Sequence, residues 1–172
     1  MRKISTLIGA ALLLLSILVT AAFATPARAG AQETPLTGTE TRHFGVPGRA
    51  WVAGPVTQVR DVPLTGTFAF RGEGVTLAGT ETVLVNAALF DGGGITWGVA
   101  TYTDAATEVT CTGTVIGQIK GVLATLKLNA PCSDGKLLKG TLQDVSSDPP
   151  GQAPPSSITS EFTGVLLSPG QN

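Results

Sequence analysis

Histidine, cysteine and charge are all scarce in this chain of 172 residues, and each shortage removes a class of function. The single histidine, His43, leaves no Ser-His-Asp arrangement to assign, and a lone histidine near a strand end reads as a surface residue. One histidine and two cysteines make no ligand set for a transition metal, so no metal and no cofactor is expected. Charged residues make up 13% of the chain, against about 25% in an average domain. Among them no basic stripe is present that could neutralise phosphates, which argues against nucleic acid as a partner. The glycine run Gly92-Gly93-Gly94 lacks the lysine and the following helix that a phosphate loop requires. Asp91-Gly92 and Asp134-Gly135 lack the alternating acidic residues of a calcium loop and read as hairpin turns. Beyond the N-terminal segment there is no amphipathic helical pattern, and no Asn-x-Ser/Thr glycan acceptor occurs anywhere.

What the chain does have begins with an export leader. Arg2 and Lys3 form a positive start, Leu7 to Val19 an apolar stretch, and Ala27-Arg28-Ala29 a small-x-small site before Gly30. Cleavage after Ala29 is expected, with Ala22-Phe23-Ala24 as a second site and retention as a membrane anchor as the alternative. No cysteine follows the apolar stretch to accept a lipid. The organisation expected is therefore a signal peptide at 1–29, a short polar lead at 30–35, one domain at 36–169, and a tail at 170–172. Without Arg2, Lys3 and Arg28 the mature chain carries 8 basic against 12 acidic residues, about −4. It is expected to be secreted, extracellular or periplasmic, and off the membrane once the leader is removed. In that oxidising setting Cys111 and Cys132 read as a structural disulfide closing a loop of about 20 residues, worth about 3 kcal/mol.

Threonine replaces the missing charge. It is polar and β-branched, so it can face water from a strand without losing strand propensity. Alternating segments are read at Leu36–Phe44, Ala50–Ala53, Val56–Val62, Leu64–Phe70, Val75–Leu89, Ile95–Thr103, Glu108–Ile119, Val122–Leu128, Lys136–Val145 and Ile158–Leu167. Pro63 cannot donate to a ladder, so an edge or a bend is expected there. Lys120-Gly121 reads as a tight turn or a bulge. Pro149, Pro150, Pro154 and Pro155 mark 146–157 as a solvated excursion.

One short pattern recurs without a fixed period: Leu36-Thr37-Gly38-Thr39, Leu64-Thr65-Gly66-Thr67, Leu77-Ala78-Gly79-Thr80, Cys111-Thr112-Gly113-Thr114, Leu138-Lys139-Gly140-Thr141 and, more loosely, Phe162-Thr163-Gly164-Val165. With a period of two, the apolar residue and the glycine share one face and threonine takes the other. An inward glycine on strand after strand lets a sheet coil tightly enough to close. The fold class expected is all-β, an antiparallel closed or nearly closed barrel of about eight strands, with a β-sandwich as the alternative. A competing reading makes each glycine a bulge on an edge strand.

These glycine-threonine strands, the hairpin Thr110–Leu126, Leu138–Leu142 and the closing Phe162–Pro169 resemble uncharacterised secreted bacterial proteins with barrels of the allene oxide cyclase and dirigent type. The resemblance spans Leu36 to Pro169 and rests on glycines and alternation. It implies a barrel fold, and by analogy with plant relatives an interior that guides cyclisation or coupling of apolar substrates. No catalytic residue of that family can be placed on this chain.

The polar residues singled out are Glu40 and Glu81, in the identical segments Gly38-Thr39-Glu40-Thr41 and Gly79-Thr80-Glu81-Thr82. Unbroken alternation would bring Glu81 in with Leu77, Val83 and Val85, and Glu40 in with Leu36, Arg42 and Phe44. Two carboxylates and an arginine would then enter the apolar side, as ligand-polarising or acid-base groups. The simpler expectation is that a bulge at each glycine shifts the phase and turns both glutamates to solvent. Trp51, Trp97 and Tyr102 are candidates for a barrel mouth, against the plainer reading of core or girdle. The candidate ligand-binding set is thus Glu81, Glu40, Arg42 and Trp97. Glu81 and Glu40 are also the weak catalytic candidates, and no catalytic residue is assigned outright. The function expected is a non-catalytic barrel holding a small apolar molecule. The alternatives are an isomerase or lyase of the cyclase type, and a cell-surface interaction module with a packed core.

Overall fold

The computed structural model describes residues 30–121, 123–147 and 156–170. The leader with its expected signal helix and cleavage sites lies outside the described residues, as do Val122 and the four prolines of the 146–157 stretch.

Nine strands follow one another: β1 (Gln32–Phe44), β2 (Arg49–Ala53), β3 (Val56–Gly72), β4 (Val75–Phe90), β5 (Gly93–Asp104), β6 (Thr110–Lys120), β7 (Leu123–Pro131), β8 (Leu137–Ser147) and β9 (Ser157–Ser168). Every pairing is antiparallel, in the order β1-β9-β8-β7-β6-β5-β4-β3-β2. A further pairing of β1 with β3 joins the ends into a closed barrel of eight strands, with β2 left outside it. One continuous closed sheet rules out the sandwich. No helix occurs among the described residues.

Pro63 sits where the chain changes partners. The two strands expected on either side of it are one, β3, whose first part pairs with β2 and whose second part pairs with β1. The bend comes from an extra residue between Val59 and Val62, where Asp61 takes a positive φ of 56°. Lys120-Gly121 is a turn, Gly121 at φ 63° and donating to the Gly92 carbonyl, so β6 and β7 are separate strands.

The recurring glycines face inward, and close approach explains them. A Cβ on Gly38 would collide with the Ala69 carbonyl of the neighbouring strand, and one on Gly113 with the carbonyl of Asn129. Such crowding is what tight coiling of a small barrel produces. The space the glycines vacate is also used by large neighbours. A Cβ on Gly140 would lie 2.5 Å, and one on Gly164 2.6 Å, from atoms of the Phe162 ring.

The interior has three levels along the barrel. One end is packed solid by Leu36, Phe68, Phe70, Tyr102, Leu128, Leu138 and Phe162. Phe70 stacks on Phe162 at 4.1 Å between centroids, and Phe68 meets Tyr102 edge-on at 5.2 Å. Burying side chains of this kind contributes about 1.5–3 kcal/mol each. The Cys111–Cys132 disulfide staples that end, tying β6 to the turn after β7, where Ser133 N–H donates to the Thr110 carbonyl at 2.8 Å. Asp104 secures the neighbouring β5–β6 turn by accepting from Ala78 N–H, Thr107 N–H and the Thr107 hydroxyl. A charged level follows, and the opposite end is hollow.

Candidate functional site

Four strands supply the charged level. Glu40 and Arg42 come from β1, Glu81 from β4, Asp144 from β8 and Ser160 from β9, and each is at most 5% exposed. No bulge occurs at Gly38 or Gly79. The register of β1 with β3 and β9, and of β4 with β3 and β5, runs unbroken past both glutamates. The expected turning of Glu40 and Glu81 to solvent is therefore overturned, because the coiling that the glycines permit makes a phase shift unnecessary. The second bulge of the barrel lies in β8 instead, between Asp144 and Ser146.

Arg42 is the centre of the arrangement. Its Nη2 donates to Asp144 Oδ1 at 2.7 Å and to Ser160 Oγ, and Ser160 in turn donates to Asp144 Oδ1 at 2.6 Å. Asp144 Oδ2 accepts from the Ala124 N–H at 2.8 Å. Arg42 Nε lies 3.0 Å from Glu40 Oε1, within ion-pair range but off the line of a hydrogen bond. Glu40 Oε2 accepts from the Tyr102 hydroxyl at 3.0 Å. Burial works against the Arg42 charge, but Glu40, Asp144 and Glu81 outweigh it and hold the guanidinium more firmly protonated than usual.

Glu81 is the outlier. Neither of its oxygens has a hydrogen-bond partner among the described residues, so an ionised Glu81 would be a buried charge with no donor. Burial, and next the charge of Glu40, push its pKa up to about 9. A protonated Glu81 is neutral at physiological pH and has an O–H to offer the adjacent Glu40 carboxylate. Glu40 is raised as well, by burial, against the lowering effect of Arg42, Glu81 and Tyr102. Burial and the two glutamates lift the Tyr102 hydroxyl well above its ordinary value, so it is a donor throughout.

Above this level opens a cavity of about 460 Å³. Its walls are aliphatic, with Val59, Val85, Leu89, Ile119 and Leu126 prominent, while Gly45, Pro47 and Gly121 from the inter-strand turns stand at its rim. Arg42 and Asp144 are its charged residues, and Thr96 is polar but already donates to the Asn86 carbonyl at 2.9 Å. Glu40 and Glu81 are not among its lining residues.

Trp97 does not join the others. It projects from the outer face of β5, where Arg60 lies 4.6 Å from its ring centre and 5.3 Å from that of Trp51. The tryptophans therefore clasp an arginine on the outside, where an indole and a guanidinium both keep contact with water. Tyr102 is core, not mouth. His43 is exposed, as expected of a lone histidine. A larger depression of about 820 Å³ on the outer face, along Ile95, Trp97, Ile116 and Lys127, contains no buried charged group, so the chemistry is inside.

Asp144 and Ser160 escaped the sequence reading although the signal was present. Asp144 follows Leu138, Gly140 and Leu142 at steps of two, and Ser160 sits between Ile158 and Phe162 in the same way. Among the described residues no group of three or more His, Cys, Asp or Glu is arranged to hold a metal ion. No family model, curated protein or solved structure matches this chain.

Proposed function

We propose that the protein is an exported, non-catalytic barrel that holds a small, mainly apolar molecule in the open half of its interior. The observation that carries this reading is the cavity of about 460 Å³ with its aliphatic wall and its few convergent polar groups. Ligand sites have this composition, and volumes of about 300–1,000 Å³. A packed interaction module has no use for such a space, and filling it with side chains would be the stable solution. An isomerase or lyase of the cyclase type needs an acid or base in contact with its substrate. Glu40 and Glu81 lie beneath Arg42 and Asp144 and do not reach the cavity, and the one carboxylate that does, Asp144, is held by Arg42, Ser160 and the Ala124 N–H, which favours binding over catalysis. The leader at 1–29 and the disulfide agree with an oxidising destination outside the cytoplasm.

The deciding experiment is native mass spectrometry of the protein purified from its own host, before and after mild organic extraction. The expected result is an adduct that extraction removes, together with uptake of an environment-sensitive apolar dye by the extracted protein. Ala87→Phe and Ala124→Phe, which project bulk into the cavity, should fold and lose both properties. An extracted protein that takes up no dye, or filled variants that bind as well as the parent, would overturn the reading.

A further inference from the structure

The floor of the cavity restricts what the molecule inside it can be, and this inference rests on the binding reading above. Arg42 is 3% and Asp144 5% exposed, so both charges meet a ligand without bulk water between them. Arg42 cannot act as a free cation there. Its Nη2 is committed to Asp144 and Ser160, and its Nε faces Glu40, leaving Nη1 outside these contacts. Asp144 accepts three hydrogen bonds, from Arg42, Ser160 and the Ala124 N–H, where a carboxylate has about four sites. The Arg42–Asp144 pair that lines the floor carries no net charge, and Glu40 lies beneath it, outside the cavity.

We infer that the cavity takes a neutral amphiphile whose hydroxyl or carbonyl meets the Arg42–Asp144 pair, and that it discriminates against both carboxylates and amines of the same shape. A carboxylate would bring a further negative charge beside Asp144 in a desolvated site where Arg42 is already matched. An ammonium would meet the Arg42 guanidinium in the same confined space. A hydroxyl can donate to Asp144 Oδ2 or accept from the Arg42 guanidinium, a carbonyl can accept from the guanidinium, and neither brings a charge to desolvate. Specificity then lies in rejecting the charged analogue as much as in holding the neutral one.

The test is a titration of the extracted protein at neutral pH with decanol, decanoate and decylamine, each read by displacement of the apolar dye and by calorimetry. Decanol should bind at least about tenfold more tightly than either charged analogue. Decanoate or decylamine binding most tightly would overturn the inference while leaving the binding reading intact. Failure of the dye and of all three compounds to bind would remove the binding reading itself. In Asp144→Asn, checked for folding by circular dichroism, decanoate should gain on decanol because the like charge is gone. An unchanged ranking in that folded variant would sink the electrostatic explanation, and if the variant does not fold, the series on the parent protein decides.

Discussion

The Glu81 carboxyl crowds the place where a side chain at residue 66 would begin: a Cβ on Gly66 would collide with the Thr41 carbonyl and lie 2.9 Å from Glu81 Oε1. The two residues pair across β3 and β4, so the glycine makes room for the acid on the adjacent strand. The same trade recurs where Phe162 lies over Gly140 and Gly164. In this barrel an inward glycine bends the sheet and accommodates a neighbour too large for an ordinary register position.

The placement of Glu81 sets the sign of a pH effect. Its folded pKa of about 9 lies above the ordinary 4.5, so between these values the native state holds a proton that the unfolded chain has lost. Stability is full below that window and falls as pH rises through it, by up to about 1.4 kcal/mol per pH unit for one proton. Glu40, also raised, adds a slope of the same sign. Glu81→Gln should keep a neutral group in place, flatten the slope, and stabilise the protein at about pH 8.5 relative to the parent. Urea midpoints at about pH 5 and about pH 8.5 test this, and an unchanged slope in the variant would contradict it.

Arg42→Met should be severely destabilising, by about 3–5 kcal/mol, because it strands the buried carboxylates of Asp144 and Glu40. Adding Glu40→Gln to that variant should recover part of the loss, since one of the stranded charges is then removed. A double-mutant cycle in urea reads the coupling, and strictly additive effects would show that the two side chains do not depend on each other.

Gly38→Ala should fail to fold or lose more than about 3 kcal/mol, since its methyl group meets backbone atoms of Ala69 and Phe70, which cannot swing aside as a side chain would. Gly30→Ala, which among the described residues has no atom within 4 Å of the added carbon, should leave the melting temperature unchanged. Equal tolerance at the two positions would remove close approach as the reason for the inward glycines.

The Cys111–Cys132 bridge spans 21 residues of sequence, and its reduction should lower stability by about 3 kcal/mol. Denaturation with and without reductant, and of Cys111→Ala/Cys132→Ala, measures this. The far cavity should go on taking up dye in the reduced protein below its unfolding transition, because the staple lies at the packed end.

Strand placement was legible from alternation because threonine kept the outer face polar while leucine and glycine marked the inner one. Barrel closure was legible from the inward glycines. The phase at Glu40 and Glu81 was not, since alternation and a glycine bulge predict opposite faces and only the register of neighbouring strands decides between them. Trp97 was misplaced for a related reason. It shares its parity with the apolar Ile95 and Val99, which lie on the outer face at about half exposure, so hydrophobicity pointed the wrong way. Arg60 as its partner is set by the bulge near Asp61, which no single-strand pattern announces.

The pairing of β1 with β9, from Gln32 opposite Ser168 to His43 opposite Ser157, also has a consequence in time. The first strand to emerge from a ribosome or a translocation pore must wait for the last before its second edge is covered. Until then β1 and β8 each present an unpaired ladder, and contacts of such long sequence separation form slowly. Synthesis of the last strand therefore sets the earliest moment of closure. Because the strand ends then lie side by side, a short linker could join Ser168 to Gln32 and let the chain be reopened at the Glu73-Gly74 turn, giving a permuted barrel that closes in a different order.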